Sequence, residues 1–196
     1  MPRRKKQTGI CHICGNVGDL SFEHVSPRAA FNDKRHIKVK FDEVISLGPE
    51  EIIKGPVQQG GIGTHTLCPK CNNITGHWYG ARFVDWCYQG MDILIQSRGE
   101  PSLIYLNYLF PLSIIKQIIA MFFSVNSSSF RKNHQELVRF VLNKEAKYLS
   151  TKYRFFVYYS ITGKFRFAGL TGKLEFRSYC QILCLSIRRH PLLYHQ

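Results

Sequence analysis

Four cysteines in two Cys-x2-Cys pairs, Cys11/Cys14 and Cys68/Cys71, carry the strongest chemistry in the sequence. Two intervening residues let both thiolates of a pair reach one ion, and two such pairs complete a tetrahedral shell of the kind that suits zinc. A closed shell leaves no open position, so such a site is structural. A second group sits beside these pairs: Glu23-His24 follows the first, and Asn72 and Asn73 directly follow the second. A neutral His near pH 7 can take a proton from water. One carboxylate and one amide carbonyl, completed by waters, can hold a hard cation such as Mg2+ or Mn2+. A base and a cation together are what hydrolysis of a phosphodiester requires. Taken singly these residues have plainer uses, since a Glu-His pair can brace a turn and an Asn after a Cys can cap backbone. Their joint occurrence with the cysteine frame points to catalysis.

The elements that must position them can be read in order. Residues 1–8 form a basic tail. From residue 9 the pattern is a knuckle with Gly15 and Gly18, then a short strand at Leu20-Ser21-Phe22 that delivers Glu23-His24, stopped by Pro27. Residues 29–61 read as an insertion, a loop with a short strand or two near Ile37–Phe41, punctuated by Gly55-Pro56 and Gly60-Gly61. Ile62–Leu67 is a second strand leading into Cys68. Pro69 suits the first turn of a helix, and Gly76 interrupts that helix before another over Trp78–Leu94. Cys87 stands apart from the pairs and reads as a buried apolar residue.

The character changes after residue 98. Leu112–Val125 reads as an apolar helix and Phe130–Leu149 as an amphipathic one, with Ser127-Ser128-Ser129 as the turn between them. Strand-like runs follow at Tyr153–Ser160, Lys164–Leu170, Lys173–Tyr179 and Gln181–Ile187, with hairpin turns at Thr162-Gly163 and Thr171-Gly172. Cys180 and Cys184 read as core. The aromatic run Tyr153–Tyr159 suits a core strand, with base stacking as its other use. The expected class is α+β: a cysteine-framed module over residues 9–98, then a helical pair and a small antiparallel meander over residues 99–196 that dock a partner or bind substrate.

The segment from Cys11 to Gly76 resembles the HNH endonuclease family in its zinc-stabilised, treble-clef-like ββα-metal form. Three blocks carry the resemblance: Cys11-x2-Cys14, Glu23-His24-Val25-x-Pro27 and Leu67-Cys68-x2-Cys71-Asn72-x3-Gly76. It implies a general base at His24, a catalytic cation (Mg2+ or Mn2+) held by Glu23 and Asn72, and structural zinc on Cys11, Cys14, Cys68 and Cys71. Asn73 and His77, i and i+4 on one helical face, are alternative ligands. Many members carry Asp where this chain has Glu23. The family's middle Asn, which braces the loop between the strands, has no clear counterpart, although Thr64 and His65 lie near its place.

Composition bears on partners. Lys and Arg number 27 against 13 Asp and Glu, a net charge of +14. Such a surplus attracts polyanions, and together with the resemblance it makes DNA the expected substrate, with RNA still open. Arg28, Lys34 and Arg35 follow the Glu-His turn and are candidates for phosphate contact. A protein partner supplying target recognition, in a prokaryotic defence or mobile-element setting, is expected by analogy. The other functional class is a non-catalytic zinc module that binds nucleic acid or protein. The start Met-Pro-Arg-Arg-Lys-Lys lacks the apolar stretch of a secretory signal and the paired cysteines suit a reducing compartment, so a cytoplasmic setting is expected. Leu103–Val125 is the nearest approach to a membrane span, but Asn107, Pro111, Lys116 and Gln117 interrupt it.

Overall fold

The computed structural model describes residues 6–37, 55–98 and 105–155. In chain order they form β1 (Gln7–Ile10), β2 (Val17–His24), β3 (His36–Ile37), β4 (Val57–Gln58), β5 (Gly63–Leu67), α1 (Pro69–Thr75), α2 (Ala81–Gln96), α3 (Pro111–Val125), α4 (Ser128–Asn133) and α5 (Gln135–Leu142). This is a mixed α+β arrangement with two small antiparallel sheets, ordered β1-β2-β5 and β3-β4.

The first knuckle is the turn between β1 and β2. Cys11 N–H donates to the Asn16 carbonyl and Gly15 N–H to the Cys11 carbonyl, both at 2.9 Å. Gly15 has φ of 83°, a backbone that favours glycine, and the Arg131 guanidinium lies where a Cβ would stand. The strand reaches further back than the cysteine pattern suggested. Gln7 and Thr8, read above as tail, pair with Leu20 and Asp19. In the insertion, β3 and β4 pair His36 with Gln58 and Ile37 with Val57.

β5 hands over to α1 at Cys68, whose extended backbone and Sγ cap the helix by accepting from Cys71 N–H, with Pro69 in the first turn. The two helices expected on either side of Gly76 are one continuous rod. Thr75, Gly76, Gly80 and Ala81 all keep right-handed helical backbone, and the wider π turn Gly76–Gly80 joins α1 to α2. A π turn adds a residue to the repeat and so rotates the apolar stripe. Tyr79 is thereby buried, its hydroxyl donating to the Val141 carbonyl at 2.9 Å.

α3 is the central helix. On one side Ile119, Ala120 and Phe123 pack with Cys11, Ile13, Cys71 and Tyr79, together with Phe130, Leu137 and Val141 from α4 and α5. On the other, Ile114, Ile118 and Met121 pack with Ala30, Phe83, Trp86 and Cys87. The apolar stretch is thus a core helix, and no helix among the described residues is long and apolar enough to cross a membrane.

The expected helix Phe130–Leu149 is two shorter ones. His134 breaks it with φ −130° and ψ 49°, and Asn143 ends α5 in extended backbone. Lys116 explains that second end. Buried at 1% exposure, its Nζ donates to the Asn143 and Lys144 carbonyls at 2.8 and 2.9 Å, fixing a turn where a helix would have continued. Tyr153 and Phe155 pack against the core outside any strand. The remaining strand-like runs, with Cys180 and Cys184, lie outside the described residues.

Because Phe123 is fully buried between the knuckle and α4, Phe123→Ala is expected to cost about 3–5 kcal/mol in urea denaturation. A loss below 1 kcal/mol would mean that α3 does not share a core with the cysteine knuckle.

Candidate metal centre and adjoining strand end

The two knuckles meet. The Sγ atoms of Cys11, Cys14, Cys68 and Cys71 lie within 4.8 Å of one another, with Cys14 and Cys68 at 3.9 Å. A tetrahedral shell with metal–sulfur bonds of roughly 2.3 Å has sulfur–sulfur edges of roughly 3.8 Å. The cluster is therefore the size of one ion's shell, and it can hold a structural metal such as zinc. His12 locks the knuckle to its neighbours: its backbone N–H donates to the Thr66 carbonyl at 2.9 Å, and its Nδ1–H to the Phe123 carbonyl at 3.0 Å. A hydrogen bond from the Cys71 thiol brings Cys11 down to about 4, and the same shared bond, with burial, drives Cys71 up. Burial also raises Cys14. The Cys11 thiolate forms readily, and Cys14 and Cys71 hold their protons until a cation offsets the accumulating charge.

β2 runs from this cluster to Glu23 and His24. Adjacent residues on a strand leave opposite faces, and the contacts follow that rule. Glu23 turns toward the helices and is 7% exposed. Its Oε1 accepts from Thr66 Oγ1 at 2.5 Å and from Thr66 N–H at 3.3 Å, while Thr66 Oγ1 also contacts the Ser124 carbonyl on α3. Oε2 is buried with no hydrogen-bond partner. Burial pushes the carboxyl from its ordinary 4.5 up to about 7. His24 leaves the other face. Its Nε2–H donates to the Gly60 carbonyl at 3.0 Å, because a carbonyl can only accept. That bond fixes the tautomer and makes Nδ1 the unprotonated nitrogen of the neutral ring.

Asn72, half-buried in α1, reaches back to β2. Its Nδ2 donates to Ser21 Oγ at 3.1 Å and to the Phe22 carbonyl at 3.3 Å. The amide nitrogen must face that carbonyl, so Oδ1 is the end turned away. Ser21 and Glu23 share the helix-facing side of β2, apart from a bulge between them. Asn72 and Glu23 are thus on one side of the strand and His24 on the other. Asn73 and His77 are exposed on the solvent side of the rod. Arg28, Lys34 and Arg35 are exposed after the turn, and Lys34 pairs weakly with Asp33 at 3.5 Å.

One residue of the site escaped the sequence reading. Asn32 is buried, donates from Nδ2 to the Ser26 and Ile62 carbonyls at 2.7 and 2.8 Å, and accepts from Ile62 N–H at 2.8 Å. It bolts the turn after His24 to the segment leading into β5. Thr64 and His65, the residues near the expected place, do not make this brace. Gly61 packs so tightly on Asn32 that an added Cβ would stand 1.8 Å from its carbonyl oxygen. The signal available was Gly60-Gly61, which read as punctuation rather than as close approach to an Asn some thirty positions earlier.

Comparison with protein-family models, with curated proteins and with solved structures gave no match.

Two outcomes are expected. Gly60 and Gly61 both have positive φ, but open space surrounds a Cβ at Gly60. Gly60→Ala should cost about 1 kcal/mol, and Gly61→Ala about 3 kcal/mol or more because the Asn32 brace must open. Equal losses would remove the brace. For Glu23, the folded state keeps between pH 4.5 and about 7 a proton that the unfolded chain has lost. Stability therefore falls as pH rises through that window. Without added Mg2+ or Mn2+, the stability of wild type relative to Glu23→Gln should drop by on the order of 2 kcal/mol from pH 4.5 to 8. A flat difference would mean that the carboxyl is solvated.

Proposed function

We propose that the chain is a metal-dependent HNH-type endonuclease that hydrolyses phosphodiester bonds in DNA, with zinc in the cysteine cluster. The observation that carries this reading is the hydrogen bond from His24 Nε2–H to the Gly60 carbonyl, which leaves Nδ1 as a base on a braced strand end. The cysteine cluster beside it joins that strand to the helix bearing Asn72.

Glu23 and Asn72 are the residues that would hold a catalytic cation. Glu23 offers a buried carboxylate oxygen that lacks a protein partner, and Asn72 offers an amide oxygen turned away from the strand. When bound, a hard divalent cation would supply charge stabilisation for the phosphorane and the departing oxygen. Everything else falls to the chain. Arg28, Lys34 and Arg35 draw the phosphate backbone to the turn. His24 Nδ1 takes a proton from water, the water oxygen bonds to phosphorus, and the 3′ oxygen leaves with the electron pair of its bond and takes a proton from solvent water. The products carry 5′-phosphate and 3′-hydroxyl ends.

One observation favours a second reading. Glu23 is deeply buried and already bonded to Thr66, as a structural carboxylate would be. On that reading the chain is a non-catalytic zinc module binding nucleic acid or a protein.

Elemental analysis should find about one zinc per chain, matching four thiolates. Plasmid cleavage with Mg2+ or Mn2+ is then compared between wild type and His24→Ala. Loss of about a hundredfold or more in rate is expected. Equal cutting by the two would end the role given to His24, and zinc without any cutting would favour the binding module.

A further inference from the structure

The face of the sheet that carries His24 also carries an aromatic group that hydrolysis leaves unused. Phe22 is 43% exposed on β2, between a buried Glu23 and a half-buried Ser21. A single exposed aromatic is ordinary, but this one is built in. Its ring stands 5.0 Å from the His24 ring, nearly perpendicular, and 5.2 Å from His65 on β5. The ring's end lies across Gly63, where a Cβ would come within 2.3 Å of it. Its own carbonyl accepts from Asn72. Edge contacts on two sides, glycine beneath and a tethered backbone hold the ring in place with its remaining surface in solvent.

We propose that Phe22 is a stacking platform for an unpaired nucleobase beside the scissile phosphate, so that the strand end acts on single-stranded nucleic acid or on a nucleotide turned out of a duplex. The inference rests on the nucleic-acid reading of this strand end. A nucleotide whose phosphate meets His24 carries a base one sugar away, and Phe22 is the ring next to His24. Every base has a π face, so such a platform binds without reading sequence. Inside a duplex those faces are covered by neighbouring pairs, and the base must leave the stack to reach a protein ring. A ring already fixed in position gives up little freedom on binding. Charge favours the same occupant. The chain carries +14, Arg28, Lys34 and Arg35 are exposed beyond the turn, and the acidic Asp33 among them pairs with Lys34.

The test uses the full chain without added divalent cation and a short single-stranded oligonucleotide in which every adenine is 2-aminopurine, whose fluorescence falls when it stacks. Wild type should quench the single strand and bind it more tightly than the matched duplex. Phe22→Leu, which keeps the apolar volume, should lose the quenching and weaken single-strand binding about tenfold or more, while Phe22→Tyr should retain both. Zinc content and thermal unfolding of each variant show whether its fold is kept. Quenching by Phe22→Leu equal to wild type, tighter binding of duplex, or no binding of the single strand would overturn the proposal. Failure of the nuclease reading looks different: Phe22-dependent quenching by a protein that never cuts leaves the platform standing, and cutting indifferent to Phe22→Leu leaves only the nuclease.

Discussion

Four sulfur atoms within 4.8 Å of one another are the constraint on which the rest of the structure depends. Cys14 and Cys68 are separated by 53 residues, and closing a loop of that size costs entropy that short-range contacts do not return. Thiols alone contribute little to that closure, since the thiolates of Cys14 and Cys71 are opposed by burial and by the charge on Cys11. A cation reverses the sign, so that ion binding and closure become one event. What closure fixes is specific. It sets the β2–β5 register, starts α1 at Cys68, and thereby brings Asn72 back to Ser21 and Phe22.

The second constraint is α3, which meets a row of polar groups beneath an apolar surface. Lys116 carries a cation into the core, where two carbonyls near the end of α5 receive it and the Phe140 ring lies 4.8 Å away. Burial lowers its affinity for the proton, which shows the strain that those partners offset. Ser124 lies where Thr66 and Glu23 come together. Phe123 gives its side chain to the core and its carbonyl to His12. One helix therefore supports the knuckle, the carboxylate and the C-terminal turn, and a shift along its axis would reach all three.

Legibility in the sequence followed the range of the interactions. Cys-x2-Cys spacing, Pro69 and Pro111 at helix starts and the threonine-rich strand run into Cys68 are local signals, and each marks the element it suggested. β1 gave no such signal because Gln7 and Thr8 are polar and gain their conformation by pairing with β2. The stop after Leu142 depends on Lys116 of α3, far away in sequence, and the break at His134 lies where its ring packs on Phe130 and Tyr153. The continuous rod through Gly76 was hidden for a similar reason, since Gly lowers helix propensity and tertiary contacts at Tyr79 overrode it. Asn32 was hardest to find, because its partners Ser26 and Ile62 are backbone atoms that carry no sequence mark.

Glu23 shows how the length of one side chain acquires a physical meaning. In the HNH pattern proposed above, the residue before the His is often Asp, shorter by one methylene. An Asp at this point on β2 would hold its carboxylate about 1.5 Å closer to the strand, away from the Thr66 hydroxyl that Glu23 reaches at 2.5 Å. The longer side chain and the Thr66–Ser124 support therefore belong together. That support engages Oε1 and leaves Oε2 without a partner in a buried setting, which an apolar core does not tolerate for a charged group. The carboxyl must either keep a proton near neutral pH or meet a cation, and the raised proton affinity is the first of these two answers. A Gln would bond Thr66 through its carbonyl and carry no charge, but its amide N–H groups would then stand where Oε2 lacks a partner. Neither side chain satisfies every polar atom at this point, and for Glu23 the buried carboxyl meets that constraint by holding its proton up to about pH 7.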